Sequence, residues 1–135
     1  MIKNIVLFIV MLIASQACVI SSIEPSDSTI ENFEVHFQSA FNEDDVLLRI
    51  DHTNVFVGNL STDYTISLAK IIKLQAMSGR HSVYINVNNR YFSNTEFELN
   101  DSLYILISFT DENENNIYLQ EGIEISFTQI PPLYD

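Results

Sequence analysis

Oxygen-bearing side chains fill Asp111-Glu112-Asn113-Glu114-Asn115-Asn116, much as they do at the start of a calcium loop. A hard divalent cation needs several carboxylate and carbonyl oxygens at once, and a turn brings alternate side chains round one centre. Asp111, Asn113 and Asn115 are therefore the candidate metal ligands. Against them, Asn116 stands where such a loop has its turn glycine, and the twelfth position from Asp111 is Gly122, with Glu121 one residue early. A solvated hairpin between a strand ending at Phe109 and one beginning at Ile117 accounts for the same residues and is the preferred expectation. Glu43-Asp44-Asp45 is a second acidic turn read the same way. Calcium is thus the one cofactor the sequence offers, and otherwise none is expected.

The other chemistry-bearing residues are sparse. His36, His52 and His81 are the only histidines, and no pair shows the spacing of zinc ligands. His36 falls on the outward parity of a strand, His52 in a turn, and His81 at the start of a strand, where it can cap by hydrogen bonding. Independent surface roles are expected for all three. No Gly-x-Ser-x-Gly elbow is present to hold a nucleophile beside a base. Short turns on a small domain leave little cleft from which water could be excluded, so the chain is expected not to be an enzyme. Tyr84, Tyr104 and Tyr118 share an outward parity on three predicted strands. On neighbouring strands they would form an exposed aromatic stripe for a glycan or protein ligand. Packing of the same rings beneath loops is the plainer alternative.

The whole chain bounds these readings. Its 135 residues make one domain, with 47% hydrophobic residues to build a core. Six Lys and Arg against 18 Asp and Glu leave a net charge of −12, which repels nucleic acid phosphates and excludes that partner class. A single cysteine, Cys18, excludes an internal disulfide framework.

The first residues carry an address. Lys3 supplies a positive start, Ile5 to Ile13 is an unbroken apolar run, and Ser15-Gln16-Ala17 is a small-x-small cleavage site. That makes residues 1–17 a secretory signal peptide, its apolar run too short for the roughly 20 residues that span a bilayer. Cleavage after Ala17 places Cys18 first in the mature chain, and Leu12 to Cys18 resembles the lipobox of a bacterial lipoprotein. The resemblance implies lipidation of Cys18 and membrane anchoring in a cell envelope, such as the outer membrane; plain secretion with a free thiol is the alternative. Removing residues 1–17 takes away Lys3 and no acid, so the charge falls from −12 to −13. Residues 18–31 are small, polar and broken by Pro25, the composition of a tether that reaches up to ~40 Å when extended.

From residue 32 to residue 135 the dominant period is two. Phe33, Val35, Phe37 and Phe41 alternate with Glu34, His36 and Gln38. Val46, Leu48 and Ile50, then Val83, Ile85 and Val87, repeat the rhythm. So do Phe97 and Leu99, then Leu103 to Phe109, then Ile123, Ile125 and Phe127. The stretch from Ile66 to Leu74 alternates too, but Lys70 interrupts it and leaves a short helix open. Turn chemistry falls at residues 42–45, 51–54, Gly58-Asn59, Ser78-Gly79, Asn88-Asn89, Asn100-Asp101 and 111–116. Seven to nine short strands at this spacing predict an all-β antiparallel β-sandwich of immunoglobulin-like layout.

Leu48-Arg49-Ile50-Asp51 followed later by Gly79-Arg80-His81-Ser82-Val83 resembles the PEGA-type envelope-associated sandwich modules. The layout down to Tyr134 is also similar to small bacterial exported sandwich proteins and lipoproteins. Both resemblances imply a binding or structural module. The sequence therefore leads to the expectation of an exported, lipid-anchored, non-catalytic envelope protein. The alternative is a secreted calcium-dependent adhesion or carbohydrate-binding domain.

Overall fold

Phe33, Val35 and Phe37 are almost wholly buried, and the strand that carries them sets the frame for the rest. The structure is a computed structural model that describes residues 28–111 and 122–134. The expected signal peptide, the expected tether up to residue 27, Asn113, Asn115 and Tyr118 lie outside the described residues. Eight strands are present: β1 (Ile30–Phe37), β2 (Asp44–Ile50), β3 (Thr53–Leu60), β4 (Lys70–Met77), β5 (Gly79–Val87), β6 (Tyr91–Leu99), β7 (Leu103–Thr110) and β8 (Gly122–Thr128). They form two four-stranded sheets, β4-β1-β7-β8 and β3-β2-β5-β6. The expected β-sandwich is what the chain adopts.

Alternation explains the core. The inward faces of β1 and β7 meet those of β2, β5 and β6, with Val35, Leu48, Val83, Ile85, Val87, Leu99, Ile105 and Ile107 all at 0% exposure. Each such side chain contributes about 1.5–3 kcal/mol by leaving water. A register slip of one residue would turn a whole stripe outward, so the pairing is strongly specified.

The strand order is close to an immunoglobulin domain with one exchange. In β3-β2-β5-β6 the strands take the positions of C′, C, F and G, and β4-β1 take those of E and B. Where such a domain has its first strand running antiparallel beside B, this chain places β7, parallel to β1. The rest of the pairing is antiparallel.

Turn residues act as their chemistry predicts. Asn88 and Asn89 take φ of 54° and 52° between β5 and β6, and Asp51 takes 53° between β2 and β3. Asn and Asp accept this left-handed region because a short polar side chain can bond locally.

Three elements differ from expectation. Strand β3 alternates only beyond its bulge, with Phe56, Gly58 and Leu60 on the inner side and Val57 and Asn59 on the outer, because the register shifts between Leu48 and Arg49. That bulge absorbs Val55, so Val55, Phe56 and Val57 can sit consecutively in one strand. Gly58-Asn59, expected as a turn, lies inside it. Strand β4 starts at Lys70 and runs to Met77, later than the Ile66–Leu74 pattern and with no helix. Lys70 holds an inward position at the end of the sandwich because its ammonium reaches the Phe56 ring, 5.4 Å from the centroid. Finally, Phe41 is fully buried yet lies beyond the end of β1. It is an anchor of the β1–β2 loop that happens to continue the strand's parity.

Candidate functional site

The outer face of β3-β2-β5-β6 collects the residues best suited to binding. Register places Val57, Leu47, Asn86 and Phe92 in one row across the four strands. The neighbouring row contains Arg49, Tyr84 and Asn94. Val57 is 69% and Phe92 59% exposed, although a β-branched or aromatic side chain gains most when covered. Arg49 lies over the Tyr84 ring, 5.2 Å from its centroid, and its Nε donates to Asn54 Oδ1 at 3.1 Å. A cation held flat on an aromatic ring presents an amphipathic platform. Between Val57 and Asn86 lies a recess of about 280 Å³. Asn86 donates to Asn89 Oδ1 at 3.2 Å, while its own buried Oδ1 has no hydrogen-bond partner among the described residues.

Tyr104 does not join this face. It lies on β7 in the opposite sheet, pairing with Glu34 of β1, so Tyr84 and Tyr104 point away from each other across the core. The stripe expected from their shared parity fails because parity says which side of a strand a residue occupies, not which sheet the strand enters. Tyr118 lies outside the described residues.

On that opposite face His36 is 3% exposed, contrary to its expected surface role. The chain after β8 returns across the sheet and stacks Tyr134 on the imidazole, 5.6 Å between centroids at 22°, while Tyr104 meets it edge-on. Glu34 Oε2 is 2.8 Å from His36 Nε2, and Tyr134 Oη is 2.6 Å from Nδ1. A carboxylate only accepts, so Nε2 carries a hydrogen. Gln38 donates to Tyr134 Oη at 3.4 Å, which directs the phenol hydrogen at Nδ1. Burial, reinforced by the Glu34 charge, raises the Tyr134 pKa despite the Gln38 contact, so the phenol keeps its proton. Glu34 is ion-paired with Lys73 at 3.2 Å. Burial opposes its charge, but the His36 and Lys73 contacts outweigh this and lower its pKa. The group is a latch for the C-terminal segment: a phenol with a raised pKa is a poor nucleophile.

His81 and Asp51 form the third cluster, and they come from the two peptides that carry the PEGA-type resemblance. His81 Nδ1 lies 2.9 Å from Asp51 Oδ2, and Nε2 lies 2.7 Å from the Met77 carbonyl. Both partners only accept, so this geometry favours the form with hydrogens on both ring nitrogens, the imidazolium. Asp51 Oδ1 also accepts the Ser82 N–H at 2.9 Å, and Phe97 packs on the His81 ring at 5.6 Å. Burial works against the charge on His81, but hydrogen bonds to Asp51 and Met77, with the charges of Asp51 and Glu98, raise its pKa. Burial likewise opposes Asp51 ionisation. Its bonds to His81 and Ser82, with the His81 and His52 charges, win and lower its pKa.

A stability window follows from these two directions. A raised histidine pKa stabilises the fold fully below the unfolded value of 6.5 and loses that contribution as pH climbs through the folded value. A depressed aspartate pKa stabilises above 3.8 and loses its contribution as pH falls through the folded value. The melting-temperature gap between wild type and His81→Gln is therefore expected to be larger at pH 5.5 than at pH 8.5. A gap that does not change with pH would show that the imidazolium pair contributes nothing.

Asp111 directly follows β7, and its Oδ1 accepts the Tyr91 hydroxyl at 3.2 Å. The remaining members of that candidate metal set, Asn113 and Asn115, lie outside the described residues. No group of three or more His, Cys, Asp or Glu side chains converges among the described residues, and no helix among them is long and apolar enough to cross a membrane. Fold and surface together define a β-sandwich with open side-chain platforms. Comparison with family models, curated proteins and solved structures returned no match for the chain.

Proposed function

We propose that the protein is an exported, lipid-anchored module of a cell envelope that works by binding or by structural support, without catalysis. The observation that carries this reading is the order of residues: Lys3, the apolar run Ile5 to Ile13, Ser15-Gln16-Ala17, then Cys18, a polar stretch with Pro25, and a sandwich whose first strand begins at Ile30. Support for binding over catalysis comes from surface shape. The recesses on the β3-β2-β5-β6 face and beside Tyr134 are shallow, at about 280 and 290 Å³, the small end of the range of small-molecule sites. The platform of Arg49, Tyr84, Leu47, Val57 and Phe92 instead suits an extended protein or glycan ligand. The calcium-dependent adhesion reading draws on the spacing of Asp111, Asn113 and Asn115 alone.

Metabolic labelling with a palmitate analogue tests the anchor. Label is expected on the wild type and absent from Cys18→Ser, which is expected to leave the membrane fraction, since acyl chains at about 0.8 kcal/mol per buried CH₂ supply the attachment. An unlabelled wild type, or label that survives the substitution, removes the anchored reading.

A further inference from the structure

Among the described residues four strands edge the two sheets, β4 and β8 in one and β3 and β6 in the other. A sheet edge exposes alternate N–H and C=O groups, and proteins blunt it with lysine, bulges or short length. Strand β4 carries Lys70 and Lys73, β3 is broken by the bulge opposite Leu48 and Arg49, and β8 has 7 residues. Strand β6 has no lysine, bulge or short length, and its only charged side chains are Glu96 and Glu98. It runs 9 residues without proline, glycine or lysine and pairs with β5 in unbroken register from Tyr91 to Leu99.

Its side chains are unfinished on both faces. Outward lie Phe92, at 59% exposure, then Asn94, Glu96 and Glu98, all exposed. Inward, beyond the same edge, Phe127 of β8 stacks on Phe97 at 5.8 Å but stays 37% exposed. Its partner on the central strand β7, Ile105, is completely buried. Arg80 reaches Glu96 only at 3.8 Å, with both side chains over 70% in water, and such a pair is worth little.

We propose that the β6 edge receives an extended basic segment of a partner protein as an added antiparallel strand. Cationic side chains would lie opposite Glu98 and Glu96, and an apolar one opposite Phe92. Charge selects this occupant. Opposite charges directly across a pair of strands attract and like charges repel, and a second copy of this chain brings its own net charge of −12. Main-chain bonds supply affinity and the alternate side chains supply specificity, as in strand addition generally. Residues of the added strand that point inward would cover Phe127. The inference rests on the binding-module reading and names its partner class.

The test uses the purified full chain and a nine-residue threonine- and valine-based peptide with lysine at positions 2 and 4 and phenylalanine at position 8. A matched peptide carries glutamate at positions 2 and 4. The lysine peptide is expected to bind roughly tenfold or more tighter, and to slow amide exchange along β6. Glu96→Lys combined with Glu98→Lys, checked for an unchanged β-sheet spectrum, is expected to reverse the preference. Equal affinities, slowed exchange at another edge, or no reversal would overturn the proposal. Crosslinking in intact envelopes separates the two levels. A partner still captured by the double variant, with no peptide binding, overturns the edge alone; loss of both capture and peptide binding in wild type overturns the module reading as well.

Discussion

Replacing Phe41 by alanine is expected to cost about 3–5 kcal/mol of folding stability, which lowers the melting temperature by roughly 12–20 °C for a domain of this size. The side chain is at 0% exposure although it comes from a loop. It meets Phe37 edge-on at 5.6 Å and 85°, and lies 5.8 Å from Phe109, whose other side is met by Tyr91 at 5.0 Å. These rings close one end of the space between the sheets. Removing the middle one leaves a cavity bounded by strands that cannot move together, because their separation is set by the layers of side chains further in. Phe41→Leu keeps most of the volume and is expected to cost less than half as much. Urea unfolding of the two variants measures both. A loss under about 1 kcal/mol for the alanine variant would mean that the loop collapses into the gap and that this end needs no plug.

The second large effect is expected at Thr62, which holds that plug in place. Its Oγ1 accepts the Phe41 N–H at 2.9 Å and donates to the Gln38 carbonyl at 3.0 Å, and its own N–H donates to the Phe41 carbonyl at 2.8 Å. Between the bonded residues the chain turns at Ala40 with φ of 73°, a conformation a residue with a Cβ adopts only when its surroundings impose it. Thr62→Val preserves the branched shape at this buried site but leaves a buried N–H without its acceptor. The expected cost is about 2–3 kcal/mol, from one orphaned donor and one weakened acceptor. Thr62→Ser keeps the hydroxyl and is expected to lose well under half of that. Serine and valine variants of equal stability would assign the role of Thr62 to packing.

Residue rhythm made much of the fold legible. Leu103, Ile105, Ile107 and Phe109 alternate cleanly and are all buried, because β7 is central, flanked on both sides and free of bulges. Strand β3 was illegible for the opposite reason. Its bulge at Val55 interrupts the two-residue period, and as an edge strand it can leave Val57 in water at 69% exposure. The outer face of β3-β2-β5-β6 was half legible: Tyr84 showed its outward parity, but Arg49 on its ring and the row through Phe92 depend on which strands pair.

What the sequence determined by itself is therefore local: which residues of a strand face inward, and where Asn and Asp permit a turn. What the tertiary structure alone decided is partnership. His36 became buried because Tyr134, 98 residues away, lies on it. Asp51 and His81, 30 residues apart, became an ion pair, and Tyr84 and Tyr104 went to opposite faces. Alternation is a property of one chain segment and its nearest neighbours, whereas these contacts exist only once strands remote in sequence have been brought side by side.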